Sequence, residues 1–291
     1  MIAERIKITP FQMERILECN IVKKVNEHGQ AYIKGYIPAE EEKNYMDLAA
    51  AEPTVQVEAV SEEGESAVIF SGVIKDCRIR NSNRVLTMEL SLVSHTYLMD
   101  LNPAIRSFQQ PGMSYQKIFD TVMGSYPGGG CIMAEGNSAV TKDLIVQYQE
   151  TDWEFLKRLS SHLNTVVLPS YKTDGVKCYI GIPQWTGTTR ISPTTYRACR
   201  LVGDYLYKRQ NQVQGLIEDD ELCYEVREQH VLEPGEQVEF QGKTYYVTEC
   251  KSCLDGHQLW NTCLIKTREG IRVPEVYNEK IVGGIRNEEI Y

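Results

Sequence analysis

Residues 144–168 read LIVQYQETDWEFLKRLSSHLNTVVL, and three kinds of local signal follow one another within them. Leu144, Ile145, Val146, Gln147 and Tyr148 have the character of a short strand. Thr151-Asp152-Trp153-Glu154 has the spacing of a capping box, in which the Thr hydroxyl and the Glu three residues on satisfy each other's free backbone amides. Trp153, Leu156, Leu159, Ser160 and Leu163 then recur at three- and four-residue steps, so a helix begins here and buries one face, with Lys157 and Arg158 turned away. Asn164 is placed to end it. Residues 165–168 return to strand, and 171–182 read as a further hairpin turned at Asp174-Gly175. Strand, helix, strand and hairpin make a small α/β unit.

Upstream, Pro111-Gly112 and Ser114 precede Tyr115, Ile118, Phe119 and Val122, an apolar stripe that predicts a helix ending near Gly124. Residues 126–137 carry Pro127, three successive glycines and Gly136, which reads as loop. With no Lys-Ser/Thr pair behind it, this is not a phosphate cradle. The first hundred residues are dominated by period-two runs, at 5–9, 30–37, 54–60, 67–80 and 84–98, punctuated by turn signals at His28-Gly29, Glu62-Glu63-Gly64 and Asn81-Ser82-Asn83. Residues 191–214 show neither period cleanly and lean toward strand at 196–202. From 222 onward the β pattern resumes, at 223–232, 237–240, 244–250 and 258–266. The chain is therefore mainly β with an α/β insert, and short strands with frequent turns favour barrels or sandwiches for the flanking regions.

Composition narrows the function classes. The 291 residues, 42% hydrophobic and 24% charged, suit a globular chain large enough for two domains. Forty acidic against thirty-one basic residues give a net charge of −9, the wrong sign for gaining affinity from phosphates, so specific nucleic-acid binding is not expected. Uninterrupted apolar runs reach four residues, whereas a membrane helix needs about 20, so no membrane span is expected. The first residues, MIAERIKITPF, lack the apolar core of a secretion signal, which places folding in the cytoplasm. Nine cysteines, an odd number spread along the chain, read as reduced and mostly buried thiols. Residues 39–65 hold nine acids and a single base, Lys43, a pattern read as a solvated loop and hairpin tip; the sharper alternative is an acidic face toward a basic partner or a channel.

The chemistry-bearing residues do not assemble. Cys250 and Cys253, followed by His257 and Cys263, could suggest zinc or redox work, but the motif lies in a predicted strand, where Cys250 and Cys253 point to opposite faces. His28, His95, His162, His230 and His257 show no HExxH spacing, and no Gly-x-Ser-x-Gly elbow is present. Asp219-Asp220-Glu221 reads as solvated surface rather than a tuned acid/base pair. No catalytic residue, cofactor or metal ligand is expected.

Two longer stretches resemble the hub family of contractile phage tails and type VI secretion, the late-control-D and VgrG proteins. The first is SHTYLMDLNPAIRSFQQPGMSYQKIFDTVMGSY, residues 94–126, where Arg106, Phe108 and Gln109 occupy the family's Arg-x-Phe-Gln element before an amphipathic helix. The second is QYQETDWEFLKRLSSHLNTVVLPS, residues 147–170, where Gln147, Tyr148, Glu150, Thr151, Asp152, Phe155, Arg158 and Leu159 follow the family motif in order. A weaker match is LEPGEQVEFQGKTYYVTEC, residues 232–250, similar to a proline-glycine turn before a strand pair in the second barrel of such hubs.

The resemblance implies two tandem β-barrel domains of the phage tail hub type flanking a small α/β domain. The corresponding divisions are 1–100 for the first barrel, 101–190 for the insert, 191–275 for the second barrel and 276–291 for a C-terminal linker toward a spike. It further implies a homotrimer presenting six similar barrels, which adapts a sixfold tube to a threefold spike through heterologous contacts that close after three subunits. Its partners would be the tail tube protein, the spike protein and baseplate proteins. Assembly would take place in the bacterial cytoplasm, as part of a phage tail or tail-like injection particle. The family's larger members continue into an oligonucleotide-binding-like barrel and needle, so the spike here would be a separate polypeptide or lie further along. Two other readings stay open at this level: an enzyme, either a cell-wall hydrolase or a zinc-dependent protein using Cys250, Cys253 and His257, and a monomeric β-rich receptor or glycan-binding module.

Overall fold

A computed structural model describes residues 5–185, 187–193, 195–213, 215–256 and 258–281. The first β region comprises β1 (Arg5–Thr9), β2 (Arg15–Lys24), β3 (Gln30–Ile37), helix α1 (Glu42–Ala50), β4 (Val55–Val60), β5 (Ser66–Ser82) and β6 (Val85–Ser94). Alternation decides its packing: Ala31, Ile33 and Ile37 of β3 and Leu86, Met88, Leu90 and Leu92 of β6 point to one side and are buried together. Asn83 and Arg84 both have positive φ between the paired ends Ser82 and Val85, the two-residue mirror turn whose twist suits a hairpin. The turn thus lies slightly beyond the Asn81–Asn83 signal.

The insert holds β7 (Pro103–Phe108), α2 (Tyr115–Met123), β8 (Gly130–Met133), β9 (Ile145–Thr151), α3 (Asp152–Ser161), β10 (Val167–Pro169) and β11 (Lys177–Ile180). Ser114 caps α2, its hydroxyl accepting from the Lys117 amide. The stripes Tyr115, Ile118, Phe119 and Val122 of α2 and Trp153, Phe155, Leu156 and Leu159 of α3 share one core. The second β region runs β12 (Thr189–Arg190), β13 (Tyr196–Arg200), α4 (Val202–Gln210), β14 (Leu222–Glu228), β15 (Gln237–Phe240), β16 (Lys243–Asp255), β17 (Gln258–Lys266) and the short α5 (Arg268–Ile271).

Four expectations need correction. Part of the acidic run is helix: with Leu48, Ala49 and Ala50 favouring helix, α1 forms, burying Tyr45 against Phe11 at a ring separation of 5.4 Å while its acids stay in water. The segment 126–137 is not all loop, because β8 pairs in parallel with β11. Arg158 does not turn away from the core but is buried. Asp220 and Glu221 are also buried: Lys208 and Lys266 donate to the two Glu221 oxygens at 2.5 and 2.9 Å, and Thr267 and the Ile217 amide donate to Asp220.

The two β regions are joined rather than separate. β2 pairs antiparallel with β16, matching Lys24 to Glu249 and Asn20 to Cys253, so one 12-stranded sheet runs β1-β4-β5-β6-β3-β2-β16-β17-β14-β13, with β15 and β12 branching from β16. No closed barrel occurs among the described residues. Lys23, buried at the seam, donates to Glu233 at 2.6 Å, and Lys172 of the insert reaches the same carboxylate at 3.1 Å. Each region nevertheless has its own apolar core, and the insert has a third.

Candidate functional site

The residues singled out by sequence converge on the insert, where β7 and β9 meet the start of α3. Arg106 stands directly opposite Gln147 in the β7/β9 ladder, so both side chains share a face. Between Ala104 and Ile105 the register shifts, leaving Gln149, at φ 50°, outside the pairing. This bulge explains the spacing of the motif: with one extra residue in the strand, Gln147 and Glu150, three apart, are both buried, while Tyr148 and Gln149 face out.

Two ion pairs occupy the buried side. Arg106 binds both carboxylate oxygens of Asp152 and donates to Gln147 Oε1 at 2.6 Å. Gln147 Nε2 donates to Asp152 at 2.8 Å and to the Glu150 carbonyl at 3.1 Å, and Tyr126 donates its hydroxyl to Asp152 at 2.8 Å. Burial pushes the Asp152 carboxyl upward, but the hydrogen bonds from Arg106, Gln147 and Tyr126 and the Arg106 charge outweigh it, holding it below its usual value. Tyr126 is pushed the other way, up, by burial and by its bond to Asp152. In the second pair Arg158 grips Glu150 with two nitrogens, at 3.0 and 2.5 Å, and donates to the Val146 carbonyl at 2.7 Å. Its guanidinium lies 5.2 Å from the Phe155 ring, which stacks on Phe108 at 5.9 Å.

The capping box forms as the spacing requires. Glu154 N donates to Thr151 Oγ1 at 3.1 Å, and Thr151 N donates to Glu154 Oε2 at 2.9 Å. Thr151 also donates its hydroxyl to Asp100 at 2.5 Å, whose other oxygen is 3.3 Å from His28 Nε2 in the β2–β3 turn. The His28 ring lies 4.6 Å from the Trp153 ring. The N-terminus of α3 is thereby latched to the first β region. Leu159 is fully buried in the insert core. Gln109 is exposed and stands apart, its amide near Ser107 at 3.4 Å, and Tyr148 is partly exposed. Tyr126 and Asp100 were not singled out by sequence, and His28 was read only as a turn residue and an unassembled histidine; spatial proximity joins the three to the motif.

The chemistry of this arrangement is cohesive. Asp152 and Glu150 each accept several hydrogen bonds and face a cation. Among the described residues, no group of three or more His, Cys, Asp or Glu side chains could hold a metal ion. Of the zinc candidates, Cys250 is buried and Cys253 exposed, on opposite faces of β16, and His257 lies outside the described residues. No helix among the described residues is long and apolar enough to cross a membrane.

The mainly β architecture with its α/β insert is shared with solved tail and type VI secretion proteins. The E. coli c3393 protein, described as a component of the type VI secretion system with structural similarity to the T4 bacteriophage tail proteins gp27 and gp5, superposes with a TM-score of 0.69 at 14% identity, covering 94% of this chain and 80% of that one. The 43 kDa tail protein of prophage MuSo2 from Shewanella oneidensis gives 0.64 at 10% identity, covering 95% and 100%. A tail protein from Neisseria meningitidis MC58 gives 0.63 at 12% identity, covering 94% and 98%. At such identities the likeness is one of fold. In sequence, residues 40–163 match the phage tail baseplate hub (GPD) family, a span that includes α1, α2, β9, α3 and both ion pairs. The chain thus shares the fold of these tail and type VI secretion proteins over nearly its whole length and matches the hub family by sequence across that central span. No curated protein matches the sequence.

Proposed function

We propose that this chain is the structural hub of a contractile, phage tail-like injection particle, acting as a homotrimer that adapts a sixfold tube to a threefold spike. The observation that carries the reading is the hub-family match over residues 40–163, embedded in a fold shared with tail proteins. Two β regions, each with its own core, stand in tandem across one seam, so three copies would offer six β units to a tube. In this reading the divisions are 1–100 and 191–275 for the two barrel-type units, 101–190 for the insert and 276–291 for the linker toward the spike. The described part of that linker supports an anchored start: Val276 N donates to Ser161 Oγ at 2.8 Å, and Asn278 donates to the Tyr148 carbonyl at 2.9 Å. Residues 282–291 lie outside the described residues.

The motif residues Arg106, Phe108, Gln147, Glu150, Thr151, Asp152, Phe155, Arg158 and Leu159 act in this reading as the structural clamp of the insert, and the chain performs no catalysis. Tube, spike and baseplate proteins are its partners, and assembly precedes release from the bacterial cytoplasm. The test is the absolute mass by light scattering across a concentration series, followed by negative-stain imaging. A particle of three times 33.2 kDa with a ring shape and central hole is expected. A chain that stays single even when mixed with its spike protein would overturn the proposal.

A further inference from the structure

Six of the nine cysteines occupy directly opposed positions on paired strands: Cys131 faces Cys178, Cys199 faces Cys223, and Cys250 faces Cys263. Residues so opposed project from the same face with Cβ atoms about 4.5–5.5 Å apart. A disulfide needs about 3.5–4.5 Å between them. On the two antiparallel ladders, register therefore brings Cys199–Cys223 and Cys250–Cys263 within a small adjustment of bonding.

Two pairs are sealed from any reagent. Cys131, Cys178, Cys250 and Cys263 are all buried. The neighbouring thiol of each pair, together with burial, pushes Cys131 and Cys263 well up and keeps them as unreactive thiols. The third pair differs. β13 is an outermost strand of the sheet with all five residues exposed, so Cys199 is open to solvent while Cys223 lies buried beside it on β14. Cys223 Sγ donates to the Cys199 carbonyl at 3.3 Å, so its sulfur already reaches across the ladder to its partner residue. Burial pushes the Cys223 thiol up, with Lys266 pulling against it. An exposed thiol beside a sheltered one is the arrangement of an attacking and a resolving cysteine.

We propose that Cys199 and Cys223 form an oxidative modification site, closing to a cross-strand disulfide when the chain meets a low-molecular-weight disulfide such as oxidised glutathione. The Cys199 thiolate attacks one sulfur of the reagent, forming a mixed disulfide and releasing one glutathione thiolate, which takes up a proton. Cys223 then loses its proton to solvent and attacks Cys199 Sγ, expelling the second glutathione. Two protein thiols are oxidised to one disulfide, and one glutathione disulfide is reduced to two thiols. The bond closes a loop containing α4 and the Glu218–Glu221 turn, and staples an edge strand that has a single described neighbour, β14. The chemistry stands whether or not the chain is a hub.

The test treats the full chain with oxidised glutathione in mildly alkaline buffer, alkylates the remaining thiols and maps peptides without reduction by mass spectrometry. A Cys199–Cys223 link is expected, with two of the nine thiols consumed before any buried pair reacts. Cys199→Ser, at an exposed site, abolishes the link and leaves Cys223 unmodified. Cys223→Ser leaves a persistent glutathione adduct on Cys199. The proposal is overturned by a lasting adduct on Cys199 in the unaltered chain, by a Cys199 bridge between two chains, or by no reaction. It is equally overturned if Cys131–Cys178 or Cys250–Cys263 closes at the same rate, since that would report unfolding.

Discussion

Glu150 and Arg158 are buried, eight residues apart, and joined by two hydrogen bonds, so neither side chain has a partner in water to return to. Replacing such a pair wholesale can be neutral, but removing one member strands the other as a buried charge. Glu150→Gln is therefore expected to lower the unfolding free energy by about 3–5 kcal/mol. The double variant Glu150→Leu with Arg158→Met is expected to lose less than either single change. Urea unfolding followed by circular dichroism checks both, and additive losses would show that the two residues act independently. The sequence identified both residues but not their pairing. A helical wheel placed Arg158 on the solvent side, and only the bulge at Gln149 turns Glu150 inward to meet it.

Among the elements, α3 was the most legible, because every determinant of its start lies within four residues. Thr151→Ala removes both the cap and the bond to Asp100, with an expected cost of about 1–2 kcal/mol. Thr151→Ser retains most of that stability. Amide exchange in the first turn of α3 should accelerate in the alanine variant and stay near normal in the serine one. Helix α2 was equally legible, from Ser114 and its apolar stripe. Helix α1 was not, because its acids mark it as solvated whatever its backbone does, and its inward face is short, with Tyr45 buried and Leu48 and Ala49 partly so. β2 carried no clear alternation, because Lys23 lies on its buried face and Val22 on its exposed one.

For the molecule as a whole, three histidines, His95 buried and His28 and His162 half-buried, sit where distant segments meet. His28 faces Asp100, with Lys157 and Glu27 nearby; His95 faces Asp174, with Lys177 nearby; His162 faces Glu275, with Arg158 and Glu150 nearby. Burial lowers each below the usual 6.5, and the facing carboxylates only partly offset it. The fold thus favours the neutral rings: their contribution is complete above 6.5 and declines as the pH falls through 6.5 toward the lower folded values. Asp152 follows the same sign at a lower range, losing its contribution only as the pH falls below its usual 3.8. The urea midpoint should fall between pH 7.5 and pH 5.5, which bracket the usual histidine value. Replacing the three histidines by glutamine should flatten that slope, and an unchanged slope would assign the acid sensitivity elsewhere.

The order of β region, α/β insert and β region followed from the sequence alone, as did the starts of both insert helices. Those features are set by contacts between residues three or four apart, or by alternation along one strand. The seam between β2 and β16, the Lys23–Glu233 contact across it and the burial of Glu221 between Lys208 and Lys266 were decided only in three dimensions. So was the opposition of Cys199 and Cys223. The physical reason is the same in each case: a strand's alternation states which face is apolar but not which distant strand lies beside it or in what register. A charged side chain is affordable in the interior only when folding brings its partner there.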